Sequence, residues 1–205
     1  MKIGIILECG PDGPDKHVCK HLAELILRDA KMEAELSFTT LDNKSNLLQQ
    51  CGDAASILLH QGCERILIVW DLYPPWGVHK QKPCRHADRQ TIFGALEAAN
   101  VQSTCVALIC IQEELEAWLL ADGNALTGFL QSINSHVKKV PHHKSPERIG
   151  CNPKTALNKL MQESTGRKYE DYVHARKISM RMTDLTRLRK VCPAFQRFEQ
   201  KVIGR

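Results

Sequence analysis

Arg65-Ile66-Leu67-Ile68-Val69-Trp70 leads directly into Asp71. Beyond its arginine the run is wholly apolar, too short for a buried helix, and reads as a central strand of a parallel sheet covered on both faces. Asp71 then stands where the chain leaves the sheet. Working outward, residues 3–8 form another short apolar run that also closes on an acid, Glu8. Residues 104–111 form a third, followed at once by Glu113, Glu114 and Glu116. Residues 33–39 alternate loosely and add a further strand. Between these runs, residues 15–29 place Val18, Leu22, Leu25 and Ile26 at helical spacing, and residues 46–60 and 87–99 also read as helices. Strands alternating with helices predict an α/β domain, a parallel sheet flanked by helices with right-handed connections.

The second part of the chain has another character. Residues 113–121 are helical, but residues 134–152 hold two prolines, Lys138-Lys139 and His142-His143-Lys144, and read as an exposed loop. Asn152-Pro153 opens a helix, with Asn152 as N-cap and Pro153 in the first helical position. Helices over 169–180, 183–191 and 193–202 complete the chain. The predicted division is an α/β domain over 1–133, a loop over 134–152, and a basic helical subdomain over 153–205 packed on the first. Residues 1–137 carry 11 Lys and Arg against 17 Asp and Glu, whereas residues 138–205 carry 17 against 6. A basic part beside an acidic one suits contact with a polyanion such as nucleic acid, although a solvated helical surface has the same composition.

Nine cysteines, an odd number with no Cys-x-x-Cys pair, read as reduced thiols of a cytoplasmic protein. The N-terminus reads as an immediate strand rather than a signal peptide, and no apolar run approaches the roughly 18 residues of a membrane span.

In an open parallel sheet, sites form outside the carboxyl ends of the strands. Glu8, Asp71 and Glu116 are each delivered there. Carboxylates converging from separate strands repel one another, and a divalent cation is the usual compensation. Oxygen ligands of this kind suit Mg²⁺ or Mn²⁺. Each acid also has a structural reading: Glu8 as a helix cap, Asp71 as the start of the turn Asp-Leu-Tyr-Pro-Pro, Glu113 and Glu114 as solvated first-turn acids.

These residues resemble a known family. Leu-Glu8-Cys-Gly-Pro-Asp12 is similar to the Glu-Gly-x-x-Asp opening of Toprim domains, and Val-Trp-Asp71-Leu-Tyr73 sits where those domains carry Asp-x-Asp. Glu114-Leu-Glu116-Ala-Trp118-Leu-Leu-Ala-Asp122 resembles the signature of a Toprim-like bacterial family of unassigned function. Asn152-Pro153-Lys154 and Leu188-Arg189-Lys190-Val-Cys192-Pro193-Ala-Phe195-Gln-Arg-Phe198 resemble its C-terminal segments. The resemblance implies a Rossmann-like Toprim fold related to the nuclease half of overcoming-lysogenization-defect proteins. It further implies an AAA or ABC-type ATPase partner in anti-phage defence. Carried over, Glu8 and Asp71 bind metal, Glu116 completes the site, and Asp12 is a further ligand. Tyr73 departs from the pattern: a phenol replaces the second acid, which puts a two-metal site in doubt.

For a nuclease acting on DNA or tRNA, Mg²⁺ or Mn²⁺ would polarise the phosphate, with Glu8 as general base. Lys80, Lys82, Arg85 and Arg89 are candidate phosphate contacts in the first part, with Lys177, Arg189 and Lys190 in the basic helices. His79, His86 and the His142-His143 pair are weaker candidates for metal or proton transfer. Trp118, Phe195 and Phe198 read as core or interface anchors rather than base-stacking platforms. Two other readings stay open: a degenerate Toprim module serving as partner or sensor of an ATPase, and a small-molecule binder using Gly10-Pro-Asp-Gly13 as a phosphate loop. A homo-oligomer is compatible with all of them.

Overall fold

A computed structural model of the chain describes residues 1–73, 83–148 and 150–205. The apolar runs become four parallel strands, β1 (Lys2–Leu7), β2 (Glu35–Thr40), β3 (Arg65–Asp71) and β4 (Val106–Ile111), in the order β2-β1-β3-β4. The chain steps outward from β1 to β2 through helix α1 (Pro14–Asp29). It then crosses back over β1 to β3 through α2 (Lys44–His60), and reaches β4 through α3 (Arg85–Ala98). This is an α/β fold with a parallel sheet between helices, compatible with a Rossmann-like build.

The two-residue period of a strand sorts the side chains to two faces. Ile3, Ile5, Leu7, Leu67, Val69, Ile109 and Ile111 pack with α1 and the later helices, while Ile6, Ile66, Ile68, Trp70 and Leu108 pack with α2 and α3. Where α2 meets α3, a Cβ on Gly52 would collide with the carbonyl of Ala95, so only glycine permits this approach.

After β4 come α4 (Glu116–Ala121), α5 (Gly123–Gln131), α6 (Pro153–Thr165), α7 (Asp171–Ser179), α8 (Thr186–Val191) and α9 (Pro193–Val202). Their apolar residues extend the cluster on the α1 face, which runs without a break from Ile3 to Val202. At its centre the Trp118 ring meets Phe195 edge-on at 5.4 Å and Phe198 at 5.5 Å, all three fully buried. Trp118 Nε1 donates to Glu147 Oε1 at 2.7 Å, and the Ala194 N–H donates to Glu147 Oε2 at 2.8 Å. A residue from the segment predicted as an exposed loop therefore joins α4 to the start of α9, and Glu147 and Val140 are buried.

Three local expectations change. Helix α4 begins at Glu116 rather than 113, because Glu113 turns back to accept the N–H of Gly150 at 2.7 Å. Asn152 is the N-cap of α6 but adopts a left-handed conformation without a side-chain cap; Glu114 Oε2 accepts the Lys154 N–H instead, at 3.2 Å. Glu113 and Glu114 are thus long-range caps, not solvated first-turn acids. Asp122 caps α5, a helix the sequence pattern did not reveal, accepting from Asn124 and Ala125. Among the described residues no helix is long and apolar enough to cross a membrane, and all nine cysteines are free.

Candidate metal centre

Strands β1 and β3 are neighbours, yet the connections flanking them run to opposite faces of the sheet, so the loops at their carboxyl ends diverge and open a crevice. Glu8 follows β1 directly and Asp71 ends β3. The Asp71 N–H donates to Glu8 Oε1 at 2.9 Å, and Asp71 Oδ2 accepts the Leu115 N–H at 3.2 Å. The end of β1, the end of β3 and the turn before α4 are therefore linked through the two carboxylates.

A third acid comes from α1. The turn after Glu8 is closed by a Gly13 N–H to Gly10 carbonyl bond of 2.8 Å, and a Cβ on Gly13 would lie 2.5 Å from that of Cys9. The tight turn brings the first turn of α1, with Asp15, back over the strand ends. Glu8, Asp15 and Asp71 line one small cavity of about 10 Å³, closed beneath by Leu7, Val69 and Ile111. This is room for about one water or one small ion. Glu8 Oε2 faces no hydrogen-bond partner although it is buried.

Burial is the largest influence on every acid here, and like charge adds to it. Glu8 is pushed up to about 7 by desolvation, with the Asp71 N–H and the Lys44 charge pulling the other way. Asp15 is pushed up to about 7 by burial and then by Glu8 and Asp171. Asp71 is held well above the ordinary range by burial, Glu8, Asp15 and Glu116. Glu116 rises to about 7 through burial and the charge of Asp15. Glu116 thus belongs to the same electrostatic cluster.

Other side chains frame it. The Tyr169 hydroxyl, buried beside Glu116, Asp15 and Asp171, is held as the phenol chiefly by burial. Lys154 Nζ bonds Asp171 Oδ2 at 2.5 Å, and its charge reaches Glu116 and Asp15. On the opposite face Lys44, almost wholly buried, pairs with Asp88 Oδ2 at 2.9 Å and donates to the Leu72 carbonyl at 3.1 Å. Trp70 Nε1 donates to the same Asp88 oxygen at 3.1 Å. This triad anchors the end of β3 from behind.

The sequence expectations fall out as follows. Glu8, Asp71 and Glu116 gather at one end of the sheet. Asp12 is exposed in the turn, and Asp15 is the acid that lines the cavity. Asp15 carries no distinct signal along the chain, because an acid in the first turn of a helix such as α1 is ordinary. Lys44 and Tyr169 carry no local signal, and Lys154 stands out only within Asn152-Pro153-Lys154, since folding alone brings these residues near the acids. Tyr73 donates its N–H to the Glu113 carbonyl at 3.3 Å. Lys80, Lys82 and His79 lie outside the described residues. Arg85 and Arg89 are on α3, and Lys177 is exposed on α7. Arg189 is locked between Asp29 Oδ2 (2.9 Å) and Glu199 Oε1 (2.7 Å), while Lys190 is exposed beside it.

The donor set fits a hard divalent cation: the carboxyl oxygens of three acids, with one Glu8 oxygen unsatisfied, line an ion-sized cavity beside the Cys19 thiol, which burial holds protonated. Among the described residues no three His, Cys, Asp or Glu side chains already stand as a coordination group. Placing these oxygens on a single ion requires the side chains to close in.

Fold and site define an α/β protein with a parallel sheet between helices, compatible with a Rossmann-like build, and a buried acidic centre at the switch point of the sheet. The chain belongs to the family described as a domain of unknown function (DUF4276), which matches residues 15–203. No curated protein and no solved structure matches it.

Proposed function

We propose that the protein is a divalent-metal-dependent nuclease of the Toprim type, hydrolysing phosphodiester bonds of DNA or tRNA. The observation that supports this most directly is the buried, unsatisfied Oε2 of Glu8, a residue that lines an ion-sized cavity with Asp71 and Asp15. Glu8, Asp71, Glu116 and Asp15 would hold Mg²⁺ or Mn²⁺. Once bound, such a cation neutralises charge on the scissile phosphate and lowers the pKa of an attacking water. Glu8, which keeps one oxygen free of hydrogen bonds, is suited to take that water's proton as general base. Asp71, held by the Leu115 N–H, keeps Glu8 in place through its own N–H. Lys154 is a cation at the same rim, suited to meet a phosphate oxygen.

In this reading α6–α9 form a basic C-terminal extension of the Toprim fold, and the protein works in the cytoplasm with an AAA or ABC-type ATPase, as an effector of anti-phage defence. The test is cleavage of plasmid and tRNA by the full chain with Mg²⁺ or Mn²⁺, with and without an ATPase partner. Cleavage is expected, and Glu8→Ala and Asp71→Ala are expected to abolish it.

A second reading, a catalytically degenerate Toprim module that binds or senses a partner, is favoured by Tyr73 and by the lack of a ready-made ligand trio among the described residues. No cleavage under any of those conditions would support it.

A further inference from the structure

Strand β4 closes the sheet on one side, and among the described residues nothing pairs with its outer edge. A trough of about 470 Å³ runs along it, floored by residues 103–108 and walled by α3 on one face of the sheet and α9 on the other. Arg65, Arg89, Arg197, Lys201 and Arg205 line it, and no Asp or Glu does. None of the five forms an ion pair with a carboxylate side chain among the described residues.

The floor has its own chemistry. Arg197 Nε donates to the Leu108 carbonyl at 2.9 Å, so Leu108 turns its main-chain groups away from β3. By the period of the strand, Val106 and Cys110 do the same, whereas the Ile111 carbonyl faces β3 and accepts the Leu72 N–H. The Val106 N–H is held by the Ser103 carbonyl. Among the described residues the edge therefore offers the N–H groups of Leu108 and Cys110 and the carbonyls of Val106 and Cys110. Phe93, 39% exposed on α3 beneath Arg89, adds an apolar spot on one wall.

We propose that this trough docks an extended acidic segment of a partner protein, added as a strand to the outer edge of β4. Main-chain bonds to a strand edge supply affinity, and the walls select side chains; here the walls select Asp and Glu. A phosphodiester strand matches the cations and the Leu108 N–H, but its phosphate oxygens are acceptors and leave the Val106 carbonyl of the floor without a donor. The trough starts at the amino-terminal ends of β3 and β4, about 20 Å along the strands from the acidic rim. It goes beyond the proposed nuclease site and stands without it.

The test uses the full chain and a fluorescein-labelled peptide of consecutive Glu residues, which presents carboxylates to both walls, followed by anisotropy. A Gln-for-Glu peptide and an oligothymidylate of equal charge serve as controls. The Glu peptide is expected to bind and to slow amide exchange of residues 106–111, with the Gln peptide roughly tenfold weaker or worse. Arg89→Glu and Arg197→Glu, checked for an unchanged unfolding temperature, are expected to weaken it about tenfold each. Equal binding of both peptides, or no protection of residues 106–111, overturns the proposal. Binding of the oligothymidylate that competes with the peptide, and is lost in the same variants, reassigns the trough to nucleic acid. Neither outcome bears on metal-dependent cleavage.

Discussion

The Asp71 main-chain N–H points at the Glu8 carboxylate, 2.9 Å from Oε1, so two acids from neighbouring strands are tied through a backbone donor. That bond fixes one Glu8 oxygen and leaves the other, Oε2, buried and unsatisfied. A buried oxygen without a partner costs on the order of 1–3 kcal/mol, which any cation or donor that reaches it recovers.

Metal binding is expected to stabilise the fold. At saturating Mn²⁺ or Mg²⁺ the unfolding temperature rises, and the rise grows with ion concentration because only the folded state presents the site. Glu8→Gln and Asp71→Asn are expected to abolish the shift, while Asp12→Asn leaves it intact. Differential scanning calorimetry with and without chelator measures this. An equal shift in wild type and Asp71→Asn would place the ion elsewhere.

The pH dependence in chelator is expected to run against the usual trend for acids. Glu116 moves from an ordinary 4.5 to about 7 in the folded chain, so between those values the native state keeps a proton that the unfolded chain has lost. Stability contributed by that group is therefore full below about pH 4.5 and falls as pH rises toward 7. Glu116→Gln removes the penalty. It is expected to gain on the order of 1–3 kcal/mol over wild type at pH 8, and almost nothing near pH 4.5. Urea unfolding at both pH values gives the comparison, and parallel curves for the two proteins would refute it.

Glu147 joins the core to α9. Both of its oxygens are used, by Trp118 Nε1 and the Ala194 N–H, and the residue is buried. Glu147→Ala strands two buried donors and is expected to cost about 2–4 kcal/mol. Glu147→Gln keeps one acceptor and is expected to cost less. Chemical denaturation resolves the two.

Arg189 is expected to behave as a structural residue. It bridges Asp29 and Glu199 between α1 and α9 while about a third exposed, so Arg189→Ala is worth about 0.5–1 kcal/mol of stability. Nucleic-acid affinity, read by anisotropy across a salt series, is expected to fall more with Lys177→Ala or Lys190→Ala, whose side chains are not so engaged. A larger loss of affinity with Arg189→Ala would reverse the assignment.

Gly52 sets the distance between α2 and α3. Gly52→Ala forces a Cβ into the Ala95 carbonyl, and we expect a loss of more than about 2 kcal/mol despite alanine's better helix propensity. Thermal unfolding would show it.

Much of this was legible along the chain. The runs at residues 3–8, 65–71 and 104–111 marked parallel strands, because a strand buried on both faces must be apolar at every position. Since such strands point the same way, acids just past their ends, Glu8, Asp71 and Glu116, had to emerge on one rim. The basic composition of the later helices could be counted, but not which cations are free: Arg189 looks like Lys190 until Asp29 and Glu199 fold against it.

What the sequence alone determined is the class of fold and the rim to which its acids go, since period and polarity act locally and a parallel sheet has only one carboxyl end. Tertiary structure decided that Asp15 rather than Asp12 enters the cavity, that Glu113, Glu114 and Glu147 accept from distant donors, and that among the described residues no strand pairs with the outer edge of β4 between α3 and α9. Those outcomes depend on distances between residues far apart in the chain, and a one-dimensional pattern holds no distances.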